Sequence, residues 1–517
     1  MKPILSVRQV RLSESAAIEN GLGEDILIEN SAATIFAAAA RVAPPTVEIA
    51  AKTRKTRVLV LVCGGNNGAD GFSAARLLHL AGYDVQILSM KENFNTYAKD
   101  RRAAAYYLNM SLRSYSGSLP DCDILIDAMI GIGLGKSLDE TYRKLVEQIN
   151  AHPCYKIAVD IPTGINADTG CVMGAAVKAD ETVTFSFGKY GHFSPEASEY
   201  TGKLTIAEIG LRAPQDAKAF LLEEGDHTPE PRRRASHKYD HGFVKIIAGS
   251  GEMPGAAALA LTAASAALKS GAGLCSLCVP DSLKDAYRLH QNETMYQFLS
   301  DRHGKILYDE PELDAVIQKA DAILLGPGLG KNPDIAKIIR YICQNFDGTL
   351  VLDADGLNAL AEHPECVKDR RCSLILTPHA GEFNRLTQNF SFRSPKLMNR
   401  VIEYADAMGA CVLYKSHVHI IAHLGKAYVN SALTPALAKG GSGDVLAGLV
   451  AAMAAKQCAA RNKSDAEAAS HDGYGPIHGS SAYAAASASL SYATAAIKAA
   501  AETGVEALLP SDMIRFI

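Results

Sequence analysis

Short β-branched and aliphatic runs alternate with longer helical stretches along most of the chain. In the N-terminal part the runs are Arg57–Cys63, Tyr83–Met90, Asp123–Asp127, Tyr155–Ile161 and Glu181–Phe187, each bounded by Gly, Asp or Pro, and two helices are predicted ahead of them between Leu5 and Ala40. Runs this continuously apolar predict strands buried on both faces. Their alternation with helices predicts a parallel sheet covered on both sides. The pattern stops between Pro214 and His237, where Glu223, Glu224 and Asp226 precede Pro229, Pro231 and Arg232-Arg233-Arg234. A polar stretch without period predicts a linker, so domains are expected at 1–213 and 237–517, with 214–236 between them. A second α/β series then follows at Phe243–Ala248, Gly273–Val279, Asp321–Leu325, Thr349–Asp353, Leu374–Thr377 and Cys411–Tyr414. Alanine-rich stretches at Ala256–Leu268, Val445–Ala455 and Ser480–Ala501 predict helices, and the polar segment Arg461–Pro476 predicts an exposed loop.

Composition narrows the partners. The 517 residues are 48% hydrophobic, and 52 Lys+Arg stand against 56 Asp+Glu for a formal charge of −4. No bulk positive field exists to hold nucleic acid or an anionic membrane, and the arginine triplet has no aromatic residues interleaved with it. Small-molecule partners are the expectation. The 11 cysteines are scattered, with Cys275 and Cys278 the lone CxxC, inside an apolar strand-like run. That usage fits a reducing compartment, and the first residues lack the apolar core of a signal peptide, so a cytoplasmic protein is expected.

Chemistry gathers at strand ends. Arg57–Cys63 runs into Gly64-Gly65-Asn66-Asn67-Gly68-Ala69-Asp70-Gly71, where glycines let backbone amides approach a phosphate at a helix N-terminus. Asp127 closes a strand and leads into Gly131-Ile132-Gly133-Leu134-Gly135-Lys136-Ser137. This loop is not a Walker A motif, because Ile130 stands where the first glycine is required. Asp160 closes the next strand, ahead of Thr163. Carboxylate, amide and hydroxyl oxygens at one sheet edge are hard donors that suit an alkali or alkaline-earth cation better than zinc. In the second series, Gly440-Gly441-Ser442-Gly443-Asp444 opens a helix. Its amides can meet a phosphoryl group's negative charge while Asp444 accepts a hydroxyl proton. Gly326–Gly330, Asp353–Gly356 and Thr377–Glu382 follow three further strands.

The segments VLVCGGNNGADGFSAARLL, DILIDAMIGIGLGKS and VDIPTGINADTG resemble the three signatures of NAD(P)H-hydrate epimerases. The resemblance implies a Rossmann-like three-layer domain that interconverts the R and S forms of hydrated NADH and NADPH. It places Asn66, Asn67, Gly68, Ala69, Asp70 and Gly131–Ser137 on the hydrate, Asp160 on substrate as a catalytic residue, and Asn67, Asp127 and Thr163 on a potassium ion. The loop here is one residue shorter than the family's and carries Ala69 where a glycine is usual. Residues 236–517 are similar to ribokinase-like NAD(P)H-hydrate dehydratases, which implies phosphorylation of the hydrate's hydroxyl by a nucleotide, then loss of phosphate. That resemblance makes Asp444 the base, puts Ala257, Gly328, His379 and Asp444 on the hydrate, and puts Lys415, Ser416, His417, Val418, His419 and Gly443 on the nucleotide. ADP is expected ahead of ATP, with Mg2+ and a homo-oligomeric assembly. Lys415-Ser416-His417-Val418-His419 replaces a usual Lys-Gly-x-x-Thr, and Lys439 replaces a threonine. A ribokinase-like small-molecule kinase fused to a non-catalytic binding domain is the alternative reading.

Overall fold

The computed structural model describes residues 1–49, 52–91, 93–226, 232–287, 293–464 and 480–517. The chain divides into two compact units, Lys2–Ala219 and Phe220–Ile517 with Met1. The expected linker therefore contains structure. Phe220 stacks on Tyr428 with ring centroids 6.0 Å apart, and the Leu222 amide donates to the Val429 carbonyl, so a short apolar run hidden in the polar stretch joins the second unit.

The first unit is a seven-stranded sheet in which every pairing is parallel. Across the sheet the strands run Lys203–Ala207, Glu181–Phe185, Tyr155–Val159, Ile124–Ala128, Arg57–Val62, Asp84–Ser89 and Ser111–Ser114. From the strand Arg57–Val62 the chain builds outward on one side, then returns to build the other. The carboxyl ends of these strands share one edge, and the order reverses between Arg57–Val62 and Ile124–Ala128. In open α/β sheets that reversal is where ligands bind. The helices Val7–Glu19 and Glu24–Val42 precede the sheet. The second of them, with Asn66–Leu80, packs a core on Ile35, Phe72 and Leu78.

The second unit's sheet holds seven parallel strands in the order Met295–Leu299, Leu274–Pro280, Phe243–Ile247, Ala322–Leu325, Thr349–Leu352, Ser373–Leu376 and Cys411–Lys415. Two antiparallel strands, His419–His423 and Lys426–Asn430, extend it. The helices Pro254–Lys269, Ser442–Ser464 and Ser481–Thr503 pack closely because alanine and glycine line their contacts. A Cβ at Gly448 would stand 2.2 Å from the Ala263 carbonyl oxygen. The predicted loop at 461–476 starts later than expected, since the helix continues to Ser464; its remainder lies outside the described residues. All 11 cysteines are free, and Cys275 and Cys278 are buried within one strand. No described helix is long and apolar enough to cross a membrane.

Candidate active sites

A cavity of about 710 Å³ opens at the switch point of the first unit. The helix Asn66–Leu80 starts on its wall, and the cap residue Gly65 offers no side-chain bond to the first-turn amides. Those amides carry the helix's partial positive charge and suit an anion. Gly68 is required where it stands, because a Cβ there would lie 1.8 Å from the Cys63 carbonyl oxygen. Asn66 is held by its neighbours: its Nδ2 donates to Glu24 Oε1 at 2.6 Å, and its Oδ1 accepts from Asn95 Nδ2 at 2.6 Å. Asn67, Asp70 and Gly131–Lys136 also line the cavity, while Gly68 and Ala69 are buried behind its wall and Ser137 faces solvent. A Cβ on Gly131 would come within 3.0 Å of Asn67 Oδ1 and 3.1 Å of Asp160 Oδ2, so three separate strand ends meet at one point.

Asp160 sits at the centre of a buried network. Lys189 Nζ donates to its Oδ1 at 2.5 Å and to Thr184 Oγ1 at 2.6 Å, and Thr184 Oγ1 donates to the same carboxylate at 3.1 Å. Burial works to raise the Asp160 carboxyl, but Lys189 more than offsets it and holds the group below the usual range. His192 Nδ1 accepts from the Lys189 amide at 3.0 Å, so its Nε2 carries the proton and donates to the Asp160 carbonyl at 3.0 Å. Burial pushes that imidazole down to about 3, which keeps it neutral. These bonds hold Asp160 at φ +69°, a left-handed conformation that costs a non-glycine residue about 1–3 kcal/mol.

Two other carboxyls face the cavity. Burial, then repulsion from Asp160, raises Glu14 to about 7. Asp70, more deeply buried, is raised well above the usual range by burial and by Asp160. The pocket thus holds a carboxylate lowered by its lysine, Asp160, beside two carboxyls whose protons burial and Asp160 make harder to lose. Asp127 and Thr163 lie beneath this wall, both buried. The Thr163 amide and hydroxyl donate to Asp127 at 2.8 and 2.7 Å, and the Ile130 amide donates to Thr163 Oγ1 at 3.1 Å.

In the second unit Lys415, at the end of its strand, joins the groups expected from sequence. Its Nζ donates to Asp353 Oδ1 at 2.7 Å, Thr377 Oγ1 donates to the same oxygen at 2.8 Å, and a Cβ on Gly443 would lie 3.5 Å from that Nζ. Asp444, in the first turn of Ser442–Ser464, is pushed up to about 6 by burial and by the charge of Asp353, with Lys415 pulling the other way. Gly328 has φ +64°, and a Cβ there would stand 2.7 Å from that of Ala256, so its loop lies against the helix Pro254–Lys269. Ala257 is on that helix, with its side chain outside the described residues. His379 caps the helix Ala380–Leu386 through Nδ1, which accepts from the Gly381 amide at 3.0 Å, leaving the ring half-exposed.

Ser416 closes the hairpin tip, its hydroxyl donating to the Val418 carbonyl at 2.8 Å, and His417 lies between them. His419 departs from the expected nucleotide contact. It is buried, its Nδ1 lies 2.8 Å from Ser489 Oγ and its ring stacks on Tyr492, so it packs the interior beneath Lys415. Lys439 reaches away to the Glu506 carbonyl at 2.6 Å.

Lys189 and Glu14 are the site residues that motif reading passed over. A signal for Lys189 existed, since it follows the strand Glu181–Phe185, a fourth strand ending on the same sheet edge. Glu14 sits on a helix before the first motif, and its sequence gives no such signal.

Residues 244–517 match the family model of NAD(P)H-hydrate dehydratase, and residues 24–191 match that of the YjeF-related protein N-terminus. The chain is 33% identical over 468 residues to the bifunctional NAD(P)H-hydrate repair enzyme of Thermofilum pendens, covering 87% of each chain. It is 32% identical over 481 residues to that of Gloeobacter violaceus, covering 88% of this chain and 89% of the relative. A solved ADP/ATP-dependent NAD(P)H-hydrate dehydratase from Bacillus subtilis, co-crystallized with ATP and Mg2+, is 26% identical, with a TM-score of 0.42 over 56% of this chain and 91% of that one. Two family models matched in sequence along one chain, with relatives of 32–33% identity over most of their length, show that the chain belongs to the family of bifunctional NAD(P)H-hydrate repair enzymes.

Proposed function

We propose that the first unit interconverts the R and S forms of hydrated NADH and NADPH, and that the second dehydrates the S form at the expense of ADP or ATP, restoring the dihydronicotinamide. The observation that carries this reading is a repeated one. In the first unit Asp160 closes a strand beside the glycine-rich helix start at Asn66, in the second Asp444 lies within one, and in each a lysine, Lys189 or Lys415, supplies the neighbouring positive charge. The first reaction is assigned to residues 1–213 and the second to 237–517.

In the first cavity the amides of Asn66–Asp70 and the loop Gly131–Ser137 hold the hydrate's phosphates and ribose, which leaves the hydrated ring toward Asp160. Loss of the ring's hydroxyl and return of water on the other face is a balanced route to epimerisation. Glu14, raised to about 7, keeps a share of its protons near neutrality and can donate one to the departing oxygen. Asp160, kept ionised by Lys189, stabilises the positive charge that develops on the ring. Asn67, Asp127 and Thr163 fit a potassium ion. The oxygens that would hold it are those of Asp127, a buried carboxylate whose polar partners are amides and a hydroxyl, with Thr163 Oγ1 and Asn67 Oδ1. The ion supplies a fixed positive charge beneath the glycine loop when bound.

In the second unit Asp444 accepts the hydroxyl proton as that oxygen attacks the terminal phosphoryl group, and the amides of Gly441–Gly443 with Lys415 meet the charge on the phosphates. Phosphate then leaves with the electron pair of the carbon–oxygen bond, the neighbouring ring carbon gives up a proton to solvent, and the ring regains its double bond, so ADP ends as AMP and phosphate. Ala257, Gly328 and His379 line the hydrate, and Lys415–Val418 with Gly443 hold the nucleotide, His419 bracing them from below. Asp353 and Glu382 are buried hard donors at the same strand ends and fit Mg2+ arriving with the phosphates, whose charge it would neutralise. A cytoplasmic homo-oligomer completes the reading.

The test is an assay of purified protein on separated R and S hydrates with ADP or ATP. The expected result is return of dihydronicotinamide absorbance from both epimers, with AMP or ADP formed in step. Stable phosphorylated hydrate, or no change with either nucleotide, overturns the reading.

A further inference from the structure

A cluster that neither reaction uses lies at the amino ends of two neighbouring strands, the opposite edge of the first unit's sheet from the cavity. Ile124 pairs with Tyr155, so the residues just before these strands, Cys122 and Cys154, are brought together by register. His152 follows the helix Glu140–Ala151 as its cap. One ligand atom from each of Cys122, His152 and Cys154 lies within 4.8 Å of the others, and Cys122 Sγ is 4.0 Å from His152 Nδ1. A tetrahedral ion with sulfur bonds of about 2.3 Å and nitrogen bonds of about 2.0–2.1 Å holds such atoms roughly 3.5–3.8 Å apart, so shifts of about 1 Å close the site.

The surroundings favour that use. Both thiols are buried, whereas His152 is half-buried and gives the cluster a route to solvent. Lys156, itself buried, donates from Nζ to the carbonyls of His152 at 2.6 Å and Cys154 at 3.1 Å. It fixes the His152–Cys154 segment and sets a positive charge beside the sulfurs, which favours thiolate. Asp123 is committed to Arg54 and to the Arg57 amide, so this nearby carboxylate is not free to join.

We propose that Cys122, His152 and Cys154 form a three-ligand site for a thiophilic d10 cation, Zn2+ or Cu+, with the remaining coordination position open to solvent. Two sulfurs and an imidazole are the donor set such ions select, and hard cations avoid it. A disulfide between Cys122 and Cys154 is the competing fate of the same sulfurs, and it leaves His152 without a role.

The full-length protein, reduced and stripped with chelator, is titrated with Co2+ as a spectroscopic probe, then with Zn2+, and in a separate arm with Cu+ against a competing chelator. One equivalent of Co2+ giving a sulfur-to-metal charge-transfer band and tetrahedral visible bands, displaced by Zn2+, supports the zinc form. One equivalent of Cu+ without the cobalt signature supports the copper form. Cys154→Ser and His152→Ala must each abolish that equivalent, and both should leave R-to-S conversion unchanged. Because His152 is partly exposed, its variant keeps the test valid should Cys154→Ser misfold. The proposal is overturned if neither metal binds, if the equivalent survives in His152→Ala, or if only the oxidised pair forms, seen as a mass loss of two hydrogens.

Discussion

The two active sites place the same residue types around the same kind of helix start, and differ in where the lysine goes. In the first unit Lys189 bonds to Asp160 itself, and that carboxyl is held below its usual range. In the second, Lys415 bonds to Asp353, and Asp444 is left beside a negative neighbour that helps push it up to about 6. One aspartate is thereby fixed as a permanent charge, and the other is poised to take and release a proton near neutral pH. A lysine's partner decides the role of a catalytic aspartate more than its presence does.

The comparison breaks most visibly at Asp444. Asp444→Asn is expected to lower dehydration kcat by about 10²–10⁴-fold, the range for loss of a positioned general base, with R-to-S conversion unchanged. Product-formation assays on S hydrate and on R hydrate read the two effects separately, and an equal loss in both would refute the division of labour. Removing the lysine of the first site tests the other half. Lys189→Met leaves Asp160 buried without its cation, and breaking a buried pair from one side costs about 3–5 kcal/mol, measured by urea denaturation of the full chain. Adding Asp160→Asn to that variant should recover part of the stability, because the stranded charge is gone.

The smallest effect is on pH dependence, and it sharpens the contrast. With Asp444 as the proposed base, the kcat/KM of dehydration should fall as pH drops through about 6 and the carboxylate takes up a proton. With Glu14 as the proposed acid, epimerisation should fall as pH rises through about 7 and that proton is lost. Asp160, held below the usual carboxylate range, stays ionised across this window and contributes no limb of its own. Glu14→Gln should flatten the upper limb of the epimerase profile, and parallel profiles for both reactions would sink the assignment.

Much of this arrangement is legible in the chain because strand ends announce themselves. Asp127 and Asp160 each close an apolar run, and parallel strands oblige their carboxyl ends to share an edge. The glycine after Asn67 is explained by close approach, a Cβ at Gly68 falling 1.8 Å from the Cys63 carbonyl oxygen, and Gly441 ahead of Asp444 by its φ of +94°. What stays hidden depends on which side chain reaches which. His419 lies in a segment that resembles a nucleotide motif, yet its ring is turned to Ser489 and Tyr492 by the hairpin it starts. Phe220 and Leu222 fall inside a charged stretch, and only their contacts with the strand Lys426–Asn430 show that they join the second unit. Cys122 and Cys154 are separated by a whole helix, so their meeting is a matter of strand register that spacing does not express.

Gly448 stands one helical turn after Asp444 and lies against the Ala263 carbonyl with no room for a methyl group. Any side chain there would force the two helices apart and carry the base away from the phosphates it must serve. Attempts to re-tune this enzyme for another phosphoryl donor have latitude at the half-buried turn around Ser416 and at Lys439, whereas the helix bearing Asp444, the proposed base, offers almost none.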